Sequence, residues 1–396
     1  MIRKCLAIGI ILLFVGVTIA PAMAQNAEKS QSVSQGNWLY VGGSGPGNYT
    51  AIQSAINDAG NGDTVFVYSG TYYENVVVNR TIDLIGENRE TTVIDGMGFA
   101  YVVKISSDGV AISGFTMLNS TWGFFESGII LDSSSNSMVT GNNVANNTNG
   151  ILLYFSSNNI ITGNNVANNE YGISLERSSS NTITGNNANS NYLYGIGLRF
   201  SSNNTVTGNN ANFNIYTGIR LDFSSNNNKI TGNNAHFNIE HGIALYSSSN
   251  TVMGNNASNT SIGDGIAIYS SSNTVTGNNA NSNFFGAGIR LSYSFSSSNT
   301  VTGNNVANNY YGIFLDSSSN NTICKNNFIK NRYNAFFKKS KDNSWNQNYW
   351  DRPRILPKLI FGTIFIRNKT INWFNIDWHP ALKRYDISCF CTKNIH

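Results

Sequence analysis

The phrase Gly-Asn-Asn recurs with its glycine at positions 141, 163, 185, 208, 232, 254, 277 and 303, at intervals of 22, 22, 23, 24, 22, 23 and 26 residues. A ninth copy, Lys325-Asn326-Asn327, replaces the glycine. Between copies a second phrase, G-I-x-[LI], starts at Gly128, Gly150, Gly172, Gly195, Gly218, Gly242, Gly265, Gly288 and Gly312. Two phrases on one period make one structural unit, and a unit this short buries its apolar side chains only by stacking on its neighbours.

Within each unit the apolar residues come singly or at spacing two, as in Ile173 and Leu175, then Ile183, then Ala188. Helical spacing is absent, so the pattern predicts three short strands per coil. The Val/Ile row two residues before each GNN glycine, from Val139 and Ile161 to Val301 and Ile323, should point inward with the Ile and Leu of G-I-x-L. Coils stacked in parallel repeat at roughly 4.8 Å, so equivalent residues form ladders. Asparagine recurs four residues before the glycine, as at Asn159, Asn181 and Asn204, and twice just after it. Its amide donates and accepts, which suits a stacked ladder at each corner, and it tolerates left-handed backbone there. The N-x-[ST] sequons that this wealth of Asn creates are what chance supplies.

The ends differ from the repeats. Arg3, Lys4, the apolar run from Cys5 to Ile19 and the A-x-A site at Ala22 to Ala24 read as a signal peptide over 1–24, which predicts export. Residues 25–38 read as a flexible lead, 39–126 as an N-terminal cap and irregular first coils, 127–337 as regular repeats, and 338–396 as a basic, Trp-rich cap. Thr50-Ala51-Ile52-Gln53 has the form of a capping box opening a short lid helix. The aromatic residues Trp345, Tyr349, Trp350, Phe361, Trp373, Phe374 and Trp378 should close the far end and block edge pairing. No later segment is apolar and long enough to span a bilayer, since Ile355 to Ile366 is broken by Pro357 and Lys358. Past the leader only Cys324, Cys389 and Cys391 remain, and their pairing stays open.

Several stretches resemble known families. Gly62-Asp63-Thr64-Val65, G-T-Y-Y-E-N from Gly70, T-I-D-L-I-G from Thr81 and T-V-I-D-G from Thr92 are similar to the first coils of pectin-lyase-like β-helix proteins. The repeats resemble those of the NosD family and of carbohydrate-binding and sugar-hydrolysis (CASH) domains. N-Y-W-D-R-P-R from Asn348 and W-F-N-I-D-W-H-P-A from Trp373 resemble the tails of NosD-like exported archaeal proteins. The resemblance implies an all-β, single-stranded right-handed parallel β-helix with three short strands per coil, an N-terminal capping helix and an aromatic C-terminal cap. It specifies fold far more sharply than function.

Alternation along G-I-x-L sends the residue after Leu outward: Asp132, Tyr154, Glu176, Arg199, Asp222, Tyr246, Tyr269, Ser292 and Asp316. The row between Ile and Leu reads Ile130, Leu152, Ser174, Gly197, Arg220, Ala244, Ala267, Arg290 and Phe314, and Tyr171, Tyr194, Thr217, His241, Asp264 and Tyr311 precede the glycine. Tyr171, Glu176, Tyr194, Arg199, Arg220, Asp222, His241, Tyr246 and Tyr269 are therefore the candidate carbohydrate contacts. Tyr faces stack on sugar rings, and Arg and carboxylates bond hydroxyls or a uronate. Glu176 and Asp222 should stand on the order of 10 Å apart with guanidinium groups between them. The same residues would also serve as an ordinary surface ion-pair ladder.

For catalysis Asp222, Arg220 and Glu176 are the best candidates, but the D-P-H motif of mannuronan epimerases, the G-H-G and R-I-K of polygalacturonases and the clustered Asp of a pectate-lyase calcium site are missing. No cofactor is required; calcium enters only if the chain is a lyase. The NosD resemblance would ask for copper ligands, and the weak candidates are His236 and His241, with His379, His396 and four scattered Met elsewhere. Residues 25–324 hold 9 Lys and Arg against 17 Asp and Glu, a balance of −8, and residues 325–396 hold 14 against 4, a balance of +10. An acidic body argues against nucleic acid, and a basic tail suits an anionic envelope. The leading expectation is an exported polysaccharide-binding rod; the alternatives are a polysaccharide lyase, epimerase or hydrolase, and a NosD-like accessory role in metalloenzyme maturation.

Overall fold

The computed structural model describes residues 36–293, 295–366 and 369–387. The predicted signal peptide, nearly all of the flexible lead, Cys389, Cys391 and His396 lie outside the described residues. The chain coils into a parallel β-solenoid of about 14 turns. Two 14-stranded sheets run its length, one from the Val/Ile row and one from the G-I-x-L strands. Register holds from coil to coil: Ile151 pairs Ile173, Ile173 pairs Ile196, and Ile196 pairs Ile219. One continuous apolar core runs from Val41 to Ile364, and nearly every inward Val, Ile and Leu is sealed from solvent.

The third side departs from the expectation of three strands in every coil. It forms a five-stranded sheet ending at Asn165–Ala167 and a three-stranded sheet resuming at Asn305–Ala307. Between them each coil keeps a single bridge, from Asn187 to Asn210, Asn234, Asn256 and Asn279. Where the strand exists the inward residue is Val144, Val166, Val306 or Phe328; where it is lost the residue is Ala188, Ala211, Ala235, Ala257 or Ala280. Alanine has low strand preference and gives the core less to hold.

Corners are built by a shared rule. The residue before each buried ladder Asn takes a left-handed φ near +60°, as at Asn158, Ser180 and Asn203, and at the GNN glycines Gly185 and Gly208. The buried residue that follows joins its copies above and below. Asn186 donates through Nδ2 to the Ile161 carbonyl at 2.8 Å and to Asn209 Oδ1 at 3.0 Å, while its own Oδ1 accepts from the backbone N–H and Nδ2 of Asn164. Ladders of this form start at Asn142, Asn147 and Asn159, and a serine ladder runs through Ser156, Ser178 and Ser201. The left-handed conformation thus belongs to the neighbour and not, as expected, to the ladder asparagine itself. The glycine of G-I-x-L has a different reason: a Cβ on Gly150 would stand 2.2 Å from Val166 Cγ1 and 2.7 Å from the Gly172 carbonyl.

Both ends are closed by the expected lid helix and buried tryptophans, with carboxylate contacts that the spacing did not foretell. The helix spans Ile52–Asp58 with Ala51 at its cap and no side-chain capping bond, so the Thr50 capping box does not form. Glu74 takes that role, its two carboxylate oxygens accepting from the N–H groups of Ile52 and Gln53. The Gln53 amide turns away to pair the open sheet edge, donating to the Val77 carbonyl and accepting from the Val77 N–H. At the far end Trp345 and Trp350 are buried, and Asp377 closes the GNN ladder by accepting from the backbone and side chain of Asn348 and from Trp350 Nε1. The antiparallel hairpin Lys358–Ile366 and Lys369–Asp377 covers the last coil only in part, because Phe361, Trp373, Phe374 and Trp378 stay largely exposed.

Candidate functional site

Among the hollows on the outer face of the G-I-x-L sheet, two adjoining clefts hold the candidate residues. The first, of about 310 Å³, is lined by Tyr171, Ser174, Glu176, Tyr194, Gly197, Arg199, Arg220 and Asp222, with Phe223 at its rim. The second, of about 570 Å³, is lined by Glu240, His241, Asp264, Tyr269, Arg290 and Asp316. Small residues in the row between Ile and Leu make the trough: Ser174 and Gly197 floor the first cleft, and Ala244 and Ala267 separate Arg220 from Arg290. Bulk returns at Leu152 on one side and Phe314 on the other.

Each arginine is spoken for. Arg220 pairs with Asp222 on its own strand at 2.6 Å and lies between the rings of Tyr194 and Tyr246, 5.0 Å and 4.3 Å from their centroids. Arg199 turns toward Glu176 at 3.8 Å and stacks over Phe223. Arg177 approaches the other oxygen of Glu176 at 3.7 Å. Burial pushes the Glu176 carboxyl above its ordinary range, against the opposing pull of Arg199 and Arg177. The guanidinium of Arg199 thus stands between Glu176 and Asp222 in register, while Arg220 closes on Asp222 alone.

The second cleft has the more deeply buried polar groups. Asp264, 2% exposed, accepts from the Ala287 N–H at 2.7 Å and from Arg290 Nε at 2.6 Å. His241, 5% exposed, accepts at Nδ1 from the Asp264 N–H. That bond assigns the proton to Nε2, which donates to the Tyr269 hydroxyl at 3.2 Å and leaves the phenol proton free for the cleft. Burial lowers the His241 pKa, opposed by Asp264 and Glu240, and raises that of Tyr269. Tyr246 and Tyr269 stack at 4.6 Å and join the two clefts.

Tyr171, Glu176, Tyr194, Arg199, Arg220 and Asp222 therefore meet in the first cleft, and His241 and Tyr269 in the second. His236 is apart from them, half-buried against Phe237 and Phe213. Both ring nitrogens of His241 are engaged, and no cluster of three His, Cys, Asp or Glu that could hold a metal occurs among the described residues. Sequence reasoning passed over Asp264 and Arg290 as partners, and the ring row Phe155, Phe200 and Phe223. The signal was present: each phenylalanine follows the outward residue at a left-handed corner, where a large side chain has only solvent or a ligand to face.

Comparison with known proteins agrees with this architecture. The family description "Right handed beta helix region" matches residues 39–211 and 127–280, and "Periplasmic copper-binding protein (NosD)" matches residues 231–355. No curated protein matches the chain by sequence. Among solved structures it is similar to the A-module of the Azotobacter vinelandii mannuronan C-5 epimerase AlgE6, with 18% identity, a TM-score of 0.63, and 74% of this chain and 92% of that one covered. The AlgE4 A-module of the same organism gives 15% identity, a TM-score of 0.60, and coverage of 72% and 92%. The catalytic domain of a GH87 α-1,3-glucanase gives 14% identity, a TM-score of 0.54, and coverage of 81% and 66%. With a match that spans residues 39–280, more than half of its length, the chain belongs to the right-handed β-helix family, and its residues 231–355 are similar to NosD.

Proposed function

We propose that the protein is an exported glycan-binding rod whose polymer lies along the outer G-I-x-L face, from the Tyr171 cleft to the Arg290 cleft. The observation that carries this reading is the trough itself. Small residues floor it, tyrosines wall it, and each guanidinium is already paired with a carboxylate. Such pairs present donors and acceptors side by side, which suits the hydroxyls of a neutral sugar; a uronate would have to displace Asp222 or Asp264. The β-helices that the fold resembles include proteins named for action on mannuronan and α-1,3-glucan, which supports a carbohydrate role. No described helix is long and apolar enough to cross a membrane.

A second reading, a polysaccharide-active enzyme, is favoured by one observation: the buried His241 is hydrogen-bonded to the half-buried Tyr269 hydroxyl, an acid–base pair at the cleft wall. Native affinity electrophoresis in gels cast with neutral and uronic-acid polysaccharides tests both. Retardation in a neutral polymer that weakens about tenfold in Tyr194→Ala and in Arg220→Ala supports binding. Retardation that fades as the polymer shortens, and persists in Tyr269→Phe, supports the enzyme. No retardation in any polymer, or retardation of both cleft variants equal to that of the parent chain, overturns the site.

A further inference from the structure

Beyond the groove, the stretch Arg352-Pro353-Arg354-Ile355-Leu356-Pro357-Lys358 leads from the buried Trp350 into the C-terminal hairpin. Two prolines fix the backbone at two of seven positions and remove two ladder donors, so the hairpin strand starts only at Lys358. The result is a stiff loop with its apolar side chains outside. Ile355 is 90% exposed, the most of any large apolar side chain described, and Leu356 is 77% exposed. Leu359 and Phe361 continue the apolar surface along the strand that follows. Exposed aliphatic side chains on a stiffened loop mark a contact surface.

The cations beside them lack partners. Arg352, Arg354 and Lys358 take part in no ion pair among the described residues. The adjacent Asp351 is committed to the Lys330 N–H and to Asn334 Nδ2. Arg354 Nε is closed off from solvent with no acceptor. Burial, then the charge of Arg354, lower the Lys358 pKa, with Asp351 opposing and Arg352 adding to the fall, so both guanidinium groups lie close enough to act on Lys358. This differs from the groove, where every arginine has its carboxylate.

We propose that this loop seats the rod on an anionic phospholipid surface, with Ile355 and Leu356 entering the interface and Arg352, Arg354 and Lys358 meeting the phosphates. Cations flanking apolar side chains are the chemistry of interfacial binding. An acidic polymer would satisfy the cations but leave Ile355 and Leu356 in water, so a lipid surface accounts for more of the loop. The charge asymmetry orients the rod: the tail balance of +10 draws this end to the surface, and the body balance of −8 holds the rest away.

Co-flotation with vesicles tests the proposal, using the chain from Gln25 so that the apolar leader does not contribute. Binding to vesicles of phosphatidylglycerol and phosphatidylcholine, and not of phosphatidylcholine alone, is expected. Ile355→Ser with Leu356→Ser should weaken it about tenfold, and Arg352→Gln with Arg354→Gln by roughly fivefold per cation. Unchanged circular dichroism in these surface variants checks the fold. Absence of binding by the parent chain overturns the proposal. So does retention by the Ile355/Leu356 variant equal to that of the parent, which would assign the cations to an acidic polymer. Glycan retardation in the same variants should be unchanged, so failure here is distinct from failure of the groove.

Discussion

The corners of the solenoid and the outer face of its G-I-x-L sheet are made by the same repeat, yet one hardly changes from coil to coil and the other changes at every step. Asn142, Asn164, Asn186, Asn209, Asn233, Asn255, Asn278 and Asn304 occupy one buried corner, while in register on the outer face stand Asp132, Tyr154, Glu176, Arg199 and Asp222. The difference lies in who satisfies the polar groups. A ladder amide must accept from the coil before and donate to the coil after, so a wrong residue leaves groups unpaired in two coils. On the outer face no side chain has to serve the coils above and below in this way, and side chains are free to follow a ligand.

The largest effect should come from breaking a ladder. Asn209 donates through Nδ2 to the Ile183 and Thr207 carbonyls and to Asn233 Oδ1, and accepts at Oδ1 from the backbone and side chain of Asn186. Asn209→Leu is close in size and removes all of this, so about 4 kcal/mol of stability should be lost in urea unfolding. The next residue, Asn210, also bonds from coil to coil, donating to Asn187 Oδ1 at 2.7 Å and accepting from Asn234 Nδ2 at 3.1 Å, but it does so on the outside. Asn210→Ala should cost less than about 1 kcal/mol. Equal losses for the two would end the distinction between buried corner and outer surface.

Most of this contrast was legible in the sequence, and its limits have physical causes. Period, sheet direction, the inward Val/Ile row and the stacked asparagines follow from residues that recur, since a ladder demands recurrence. The use of Glu74 in place of Thr50, and the closure of the last ladder by Asp377, did not show, because an end has no neighbour to reveal its register. On the face, the rows named the right side chains but not their pairings. Arg290 reaches back to Asp264 in the previous coil, while Arg220 bonds Asp222 within its own strand. Both choices are made by side-chain rotamers, which spacing does not set.

One part of the interior does vary, and it tracks the groove. The alanine positions, from Ala188 to Ala280, precede most of the cleft strands, from Tyr194 to Arg290, while Val166 and Val306 precede the strands at the two ends, Tyr171–Glu176 and Tyr311–Asp316. If Val166 holds its strand by filling the core, Val166→Ala should cost about 2 kcal/mol and loosen amide protection of Asn165–Ala167 toward that of Asn187–Asn189. Hydrogen exchange reads both segments in one experiment. Unchanged protection would mean that the third strand depends on something other than the size of its inward residue.

The smallest effect belongs to His241, the buried histidine of the second cleft. Burial lowers the His241 pKa in the fold below the ordinary 6.5, so as pH falls through 6.5 the unfolded chain takes up a proton that the fold resists. Its stabilising contribution is present above that value and is lost as pH falls toward the folded pKa, with a slope no steeper than about 1.4 kcal/mol per pH unit. Glu176 works in the opposite sense, since burial raises its pKa, and His236, lowered by burial, works in the same sense; only a difference between variants isolates His241. His241→Gln should therefore flatten the fall in stability between pH 7.5 and 5.5 relative to the parent chain. Protonation would also place an N–H at Nδ1 against the N–H of Asp264 and break the bond between them. The second cleft is then disturbed where the first is not, so glycan retardation by the parent should weaken with acid more than retardation by the variant. Parallel pH profiles for the two proteins would show that His241 is packing alone and that the face draws nothing from its buried charge.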